Sequence, residues 1–167
     1  MRRSCAGFTL LELVLVLFIL AVTTALVFPR FVGVLGSLKL RSASRLLAAA
    51  SFGLRQEALM TRQRYRMIYQ VEKGTYEVVL VPQEGEPQVL KRESLPSGIS
   101  FLDVQTPTQG KVKEGEASGD FFPGGYVEET TIHLTGSGNR IQTLIIKPFA
   151  LGVDVLEGYV EQEKKPF

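Results

Sequence analysis

The feature that most constrains this chain is an apolar run near its N-terminus that contains a single ionisable residue. From Phe8 to Phe28 the sequence reads FTLLELVLVLFILAVTTALVF, 21 residues in which Glu12 carries the only charge. At about 1.5 Å per residue, a helix of this length reaches about 31 Å, close to the roughly 30 Å hydrocarbon core of a bilayer. The run therefore predicts a transmembrane helix over residues 8–28.

A cleaved secretory signal peptide is the alternative explanation of such a run. Arg2 and Arg3 would form its basic region, but no A-x-A cleavage site lies near the C-terminal end of the run, where Thr23-Thr24-Ala25 is the best candidate. The hydrophobic regions of signal peptides also span only about 7 to 15 residues. These features favour a retained helix.

Cys5, the one cysteine, precedes the apolar run, whereas a lipid-attached cysteine would follow it. A chain that lost residues 1–7 would have no thiol, and therefore no disulfide and no cysteine metal ligand. It would also lose Arg2 and Arg3, which would bring the formal net charge of +2 to neutral. The net charge is small and the sequence has no long lysine or arginine tract, so neither feature indicates nucleic-acid binding.

Glu12 is the most informative residue of the run. An acidic side chain costs about 2.5 to 3.5 kcal/mol at the bilayer centre and is rare there without a partner. One interpretation is that Glu12, about one turn inside the run, leans toward the interface and stays hydrated. The other is that its carboxylate pairs with a group on another molecule. Its position in the run is compatible with both.

The hexapeptide GFTLLE, residues 7–12, joins the short basic leader to the apolar run. It resembles the processing site of type IV pilins and type II secretion pseudopilins. The resemblance implies that a prepilin peptidase cuts after Gly7 and that the new N-terminus, Phe8, is methylated. Glu12 would then be the fifth mature residue, the glutamate position of the family. The Phe8 amine of a neighbouring subunit could pair with Glu12, which would offset the cost of a charge in low dielectric.

A weak region is expected directly after the apolar run. Pro29 removes a backbone donor and clashes one turn back, which kinks or ends a helix, and pilins commonly carry a proline at this distance from the cleavage site. Gly33 and Gly36 each cost about 1 kcal/mol relative to alanine in a helix. We expect a kink or local melting within residues 29–36.

Charge and resemblance disagree on the orientation of the helix. Near the run, the leader side offers Arg2 and Arg3, while the far side offers Arg30, Lys39, Arg41 and Arg45. A positive-inside count would place the C-terminal domain in the cytoplasm. A leader cut from the cytoplasmic face implies the opposite: a single-pass protein of the bacterial inner membrane, with its N-terminus cytoplasmic and its head periplasmic.

An amphipathic continuation of the helix is predicted over residues 29–62. Beyond Gly36, apolar residues recur mostly at spacings of three and four, as on one face of a helix. They are Leu38, Ala43, Leu46, Leu47, Ala50, Leu54 and Ala58. The interleaved arginines would form a solvated face or meet acidic groups on adjacent subunits.

The remainder, residues 63–167, is predicted to be a predominantly β head. Alternation of β-branched and aromatic residues indicates strands at Tyr65–Val71, Thr75–Val81, Gln88–Lys91, Ile99–Val104, Thr130–Leu134, Ile141–Lys147 and Val153–Leu156. Lys73-Gly74 and residues 136–139 are expected to be turns between strands. Residues 106–120 have few apolar anchors and are expected to form a mobile loop.

The predicted fold class is therefore α+β and pilin-like. A long N-terminal helix, first transmembrane and then amphipathic, would pack on an antiparallel β-sheet or a two-sheet head. Leader residues 1–7 would be removed.

No residue pattern indicates catalysis. Residues 136–140 lack the third glycine of a dinucleotide fingerprint, and a turn is favoured there. His133, the only histidine, has no second metal-ligand type near it. Asp120 and Asp154 lie in no recognisable oxygen-ligand loop, so a calcium site has no support. We expect no enzyme activity, no cofactor and no metal.

The C-terminal region carries a second pattern. Phe121-Phe122-Pro123-Gly124-Gly125 precedes the strands predicted at 130–134 and 141–147, and Gly152-Val153 follows them. This order resembles that of the H-type minor pseudopilins and the FimT-like minor pilins, in which a phenylalanine-proline-glycine turn introduces paired strands.

The two resemblances together imply a minor pseudopilin of a type II secretion system that assembles into a periplasmic pseudopilus. Its partners would be the prepilin peptidase, other pseudopilins through the N-terminal helix, and the inner-membrane assembly platform. A minor pilin of a type IV pilus or a DNA-uptake machine shares every feature of the helix, and nucleic acid would be a partner only in the latter case. A membrane-anchored β domain that binds a ligand and never polymerises is the third hypothesis.

Overall fold

One long helix is followed by a series of short strands in a computed structural model that describes residues 9–150 and 152–161, without the side chains of residues 27–35. The helix is α1 (Leu10–Thr61). Within the described residues the strands are β1 (Arg64–Gln70), β2 (Thr75–Val81), β3 (Gln88–Ser94), β4 (Ser100–Thr106), β5 (Gly110–Val112), β6 (Glu116–Phe121), β7 (Thr130–Gly136), β8 (Arg140–Ile146) and β9 (Val153–Glu157). The chain divides into two compact units, Met1–Leu35 and Gly36–Phe167.

The strands form two antiparallel sheets within the second unit. Sheet A has the order β3-β2-β1-β6, and sheet B has the order β5-β4-β7-β8-β9. The turn predicted at Lys73-Gly74 is confirmed: it closes the β1–β2 hairpin, and Gly74 adopts a φ of +63°. The turn predicted at residues 136–139 is also confirmed, between β7 and β8. The predicted α+β class with a two-sheet head is confirmed.

A single hydrophobic core joins the second half of α1 to both sheets. The helix contributes Leu40, Ala43, Leu47, Leu54 and Ala58, all buried. Sheet A adds side chains such as Met67 and Tyr69, and sheet B adds Ile132, Leu134 and Leu144. The head therefore includes the helix from Gly36 onward, whereas the sequence placed the start of the head at residue 63.

The helical face predicted for this packing is correct in period but not in every member. Ala43, Leu47, Leu54 and Ala58 are buried, while Leu38 and Leu46 are 56% and 59% exposed. Leu40, which the predicted face did not include, is buried instead. Several alternative faces of the helix contain leucines at spacings of three and four. Which face is buried depends on where the sheets pack.

The prediction of a mobile loop over residues 106–120 is wrong. This segment contains β5 and β6, and β6 pairs with β1 at one edge of sheet A. Two of the buried positions in β6 are occupied by small residues, Ala117 and Gly119, which give little hydrophobic signal in the sequence. Packing explains why residue 119 is a glycine, because a Cβ there would lie 2.6 Å from Oγ1 of Thr130.

The expectation of local melting after Pro29 is not met, because the backbone of α1 is assigned as helical throughout Leu10–Thr61. One proline removes one helical hydrogen bond without necessarily ending a helix whose flanking turns are intact. Pro29 and Gly33 belong to the segment whose side chains are not described, and a kink there stays a prediction.

Gly36 has a role that the sequence did not reveal. A Cβ at this position would lie 3.0 Å from Cβ of Ser137, in the turn between β7 and β8. The glycine thus allows α1 to approach this turn closely, in addition to any effect on helix stability.

Candidate functional site

The N-terminus of α1 is capped by Thr9. Oγ1 of Thr9 accepts a hydrogen bond from the backbone N–H of Glu12 at 3.3 Å. The carbonyl of Thr9 accepts hydrogen bonds from the N–H groups of Glu12 and Leu13, both at 3.1 Å. Thr9 was not among the predicted functional residues, although the spacing Thr-x-x-Glu is that of a capping box and could have identified it.

Glu12 lies in the first turn of this helix, and its side chain is exposed. A carboxylate at a helix N-terminus interacts favourably with the helix dipole, by about 0.3–1 kcal/mol. This local contribution is smaller than the cost of a carboxylate at the bilayer centre, about 2.5 to 3.5 kcal/mol. The helix dipole would therefore offset only part of the cost of placing Glu12 in a bilayer, and the exposed carboxylate is accessible to a partner.

The helical segment Leu10–Leu26, termed here the apolar segment, exposes its side chains on all sides. Its large apolar residues range in exposure from 43% at Val22 to 81% at Leu10. Soluble monomers rarely expose contiguous apolar surface beyond a few hundred Å². A surface of this kind requires a lipid or protein environment to cover it.

The hydroxyl groups within the apolar segment are satisfied by the helix itself. Oγ1 of Thr23 donates to the carbonyl of Ile19 at 2.5 Å, and Oγ1 of Thr24 donates to the carbonyl of Leu20 at 2.7 Å. Hydroxyls bonded in this way need no partner outside the helix. Glu12 is thus the one residue of the segment that presents an ionisable group to its surroundings.

Among the residues that the structure describes, no helical stretch is both long enough and apolar enough to qualify as a membrane span. Gly7 and Phe8, the predicted cleavage and methylation positions, lie outside the described residues. The predictions for both positions therefore stay predictions.

The aspartates weighed as calcium ligands are paired with basic side chains. Asp120 accepts hydrogen bonds from Arg66 at 2.7 and 3.0 Å and a further one from Arg64. Asp154 lies 2.6 Å from Nζ of Lys147. Across residues 9–150 and 152–161, no group of three or more His, Cys, Asp or Glu side chains is placed to hold a metal ion.

His133 is completely buried and is paired with Asp103, at 2.6 Å between Nδ1 and Oδ1. Its other ring nitrogen, Nε2, faces the carbonyl of Val160 at 3.1 Å. In a catalytic histidine–aspartate pair this nitrogen would face a nucleophile or a substrate. Here it faces the protein backbone, which makes the pair part of the structure of the head.

Two arginines of α1 meet partners within the same chain. Arg41 forms an exposed ion pair with Glu157, and Arg55 donates to the backbone carbonyls of Pro148 and Ala150. Arg55 therefore helps to hold the segment between β8 and β9 against the helix.

Comparisons with known proteins give one match to the N-terminal segment and one to most of the chain. A family model described as "Prokaryotic N-terminal methylation motif" matches residues 2–28. No curated protein matches the chain. Among solved structures, the minor pseudopilin EpsH from the type 2 secretion system of Vibrio cholerae is similar, with a TM-score of 0.49 and 15% sequence identity over 71% of this chain and 93% of that chain. Residues 2–28 therefore carry a prokaryotic N-terminal methylation motif.

Proposed function

We propose that this protein is a minor pseudopilin of a type II secretion system. It is cleaved after Gly7, methylated at Phe8, anchored in the inner membrane by residues 8–28, and assembled into a periplasmic pseudopilus with its head outside the membrane. The observation that carries the proposal is an exposed apolar helix with one carboxylate, lying within the residues that match a methylation motif.

The apolar segment has two successive environments under this proposal. In the membrane, lipid covers its side chains, and Glu12 lies close to the end of the helix, where hydration is accessible. In the filament, the same side chains pack against the helices of other pseudopilins. The Phe8 amine of a neighbouring subunit then neutralises Glu12, because an unpaired charge in such surroundings is costly. Glu12 thereby sets the register between subunits.

Support for a minor subunit comes from the head. The predicted phenylalanine-proline-glycine turn is present after β6, where the N–H of Phe122 donates to the carbonyl of Tyr126, and that of Gly125 donates to the carbonyl of Phe122, both at 2.9 Å. The hairpin of β7 and β8 follows, and β9 comes after Gly152. This is the order of elements in the C-terminal pattern of the H-type minor pseudopilins.

A minor pilin of a type IV pilus or DNA-uptake machine is the second candidate, because the methylation motif serves pilins and pseudopilins alike. The two candidates share the peptidase and the assembly mode. They differ in the filament that the subunit joins, so co-purification of the tagged native protein with secretion components or with pilus components separates them.

Processing is tested by mass spectrometry of the native protein. We expect a mature chain that begins at N-methylated Phe8, and we expect Gly7→Ala to leave the full-length precursor. A native chain that retains residues 1–7 would contradict the proposal, as would equal processing of wild type and Gly7→Ala.

Assembly is tested by replacing Glu12. Glu12→Leu should leave membrane insertion and cleavage largely intact and should reduce incorporation into the filament, measured by crosslinking to neighbouring subunits. Glu84→Leu, an exposed glutamate of the head, is the matched control and should assemble normally.

Thr9→Ala separates the two roles of Glu12, since it removes the side-chain cap and keeps the carboxylate. Normal assembly of Thr9→Ala together with failure of Glu12→Leu indicates intersubunit pairing. Normal assembly of Glu12→Leu would favour a plain anchor that does not polymerise.

A further inference from the structure

His133 and Asp103 form a buried pair on neighbouring strands of sheet B. The two residues are directly opposite in the register of β4 and β7, and they are 0% and 1% exposed. Ile132 and Leu134, on either side of His133, belong to the hydrophobic core. Because side chains alternate along a strand, His133 lies on the opposite face of the sheet.

The C-terminal segment, Gly158–Glu161, covers His133 on that face. The ring of Tyr159 stacks on the imidazole with centroids 3.9 Å apart and an interplanar angle of 12°. The hydroxyl of Tyr159 donates to Oδ2 of Asp103 at 3.1 Å. The carbonyl of Val160 lies 3.1 Å from Nε2 of His133.

Thr143 on β8 holds the same segment through its hydroxyl. Oγ1 of Thr143 donates to the carbonyl of Gly158 at 2.7 Å and accepts from the N–H of Val160 at 3.0 Å. At the edge of the sheet, Lys111 on β5 forms an ion pair with Glu161 and lies over the ring of Tyr159. Strands β4, β5, β7 and β8 thus all contribute to holding this segment.

The partners of the imidazole determine its protonation state. A backbone carbonyl can only accept, so Nε2 must carry a hydrogen. An ionised Asp103 also only accepts, and its second hydrogen bond comes from Tyr159, so Nδ1 then carries a hydrogen as well; a protonated Asp103 would instead donate to Nδ1 of a neutral ring. A neutral imidazole has one N–H, and an imidazolium has two.

We propose that His133 is a buried imidazolium which, together with Asp103, holds the segment Gly158–Glu161 against sheet B. Loss of one imidazole proton would release this segment. The titratable groups described around His133 are Asp103 and Tyr159 and, at the edge of the sheet, Lys111 and Glu161. Removing the proton eliminates the hydrogen bond to Asp103 or the one to Val160. It also leaves the Asp103 carboxylate buried without a cation, which is strongly unfavourable.

The protonation state is measured on the full-length protein in detergent micelles. His133 is the only histidine, so labelling histidine with ¹⁵N gives ring signals from this residue alone. At about pH 7.5, where an ordinary exposed histidine is mostly neutral, we expect both ring nitrogens to show a directly bonded proton. A ring nitrogen without a proton at that pH would overturn the assignment.

The release is measured by hydrogen exchange at the N–H of Val160, corrected for the intrinsic dependence of exchange on pH. We expect protection at Val160 to fall at least about tenfold across the pH step at which the imidazole loses a proton, because local opening then becomes easier. Backbone amides at the centre of β8 should keep their protection across the same step. Unchanged protection at Val160 would show that the proton does not hold the segment.

Two variants separate charge from packing. Asp103→Asn keeps an acceptor opposite Nδ1 and removes the negative charge, so it should give a neutral imidazole and reduce protection at Val160. Tyr159→Phe keeps the ring stacked on His133 and should retain the imidazolium. If Asp103→Asn does not fold, the titration of the wild-type protein still decides the proposal.

Discussion

Asp120 illustrates how a charged side chain is held in the second compact unit. It lies directly opposite Arg66 in the pairing of β6 with β1, and its side chain is 11% exposed. Burial acts to raise the pKa of Asp120, but hydrogen bonds from Arg66 and Arg64 outweigh it and hold the pKa below its usual value. The hydrogen bond with Asp120 in turn raises the pKa of Arg66. The carboxylate is therefore ionised at neutral pH and favours the folded state.

Acid should weaken the fold through Asp120. Since its folded pKa is lower than the unfolded value of about 3.9, its contribution is complete above about pH 4 and is lost as the pH falls through the folded pKa. Asp120→Asn should cost about 1–3 kcal/mol of unfolding free energy at neutral pH, and less in acid. Urea unfolding in one detergent at several pH values measures this.

Asp154→Asn is the control for this experiment. Asp154 and its partner Lys147 are each about half exposed, and such surface pairs contribute about 0–1 kcal/mol. A cost of Asp120→Asn that stays constant down to the most acidic pH would contradict the assignment.

The second half of α1 acts as one layer of the head, because its buried face contacts both sheets. Ser44 reinforces this packing: its hydroxyl donates to Oε1 of Gln142 on β8 at 2.6 Å, in a buried position. Ser51 is also buried, and its hydroxyl lies 3.9 Å from Sδ of Met67 on β1. The helix thus contacts each sheet through polar as well as apolar groups.

Two adjacent leucines of α1 should differ sharply on truncation. Leu47 is 1% exposed and Leu46 is 59% exposed. Leu47→Ala should lower the unfolding free energy by about 2–5 kcal/mol, since it removes buried surface and leaves a cavity. Leu46→Ala should stay within about 0.5 kcal/mol of wild type. Denaturant unfolding of the two variants is the measurement, and equal effects would refute the helical face described here.

A second pair of variants tests the placement of β6. Gly119→Ala brings a Cβ against Thr130 and should destabilise the head by about 1–3 kcal/mol through overpacking. Gly53→Ala places its Cβ in open space on the exposed side of α1 and should stabilise by about 0.5–1 kcal/mol through helix propensity. Thermal unfolding compares the two, and a neutral Gly119→Ala would mean that β6 does not approach β7 as described.

The two compact units present different surfaces to their surroundings. In Met1–Leu35, the described side chains are all exposed, and most of them are apolar. In Gly36–Phe167, the apolar side chains close a core between a helix and two sheets. The first unit therefore needs lipid or protein to cover its apolar surface, and the second carries its own core. This division is consistent with the proposed function, in which residues 8–28 pass from a membrane into a filament.

The orientation across the membrane is the prediction at this scale. We expect protease added to spheroplasts to digest the head, because the proposed function has the leader cut on the cytoplasmic side and the head in the periplasm. A cytoplasmic protein in the same sample should remain protected until the cells are lysed. Protection of the head in intact spheroplasts would contradict the proposed topology. It would indicate that the basic residues after the helix set the orientation and that the head is cytoplasmic.

The sequence signals of the candidate site are local. Thr9 and Glu12 lie three residues apart, on one turn of the same helix, and the apolar run is continuous in the chain. The positions of seven strands were likewise predicted from alternation within short windows. Features of this kind depend on residues that are close together in the chain, so they can be predicted from the sequence.

Other features depend on contacts between distant residues. Asp103 and His133 give no joint signal in the sequence, and only the register of β4 and β7 brings them together. In the sequence, the small residues of β6 resemble a loop. In the structure, they form a strand that pairs with β1. The sequence by itself determined the apolar N-terminal helix, the methylation motif over residues 2–28 and the α+β class. The tertiary structure alone decided which leucines are buried and where the buried charges meet, because those outcomes follow from sheet register and packing across the core.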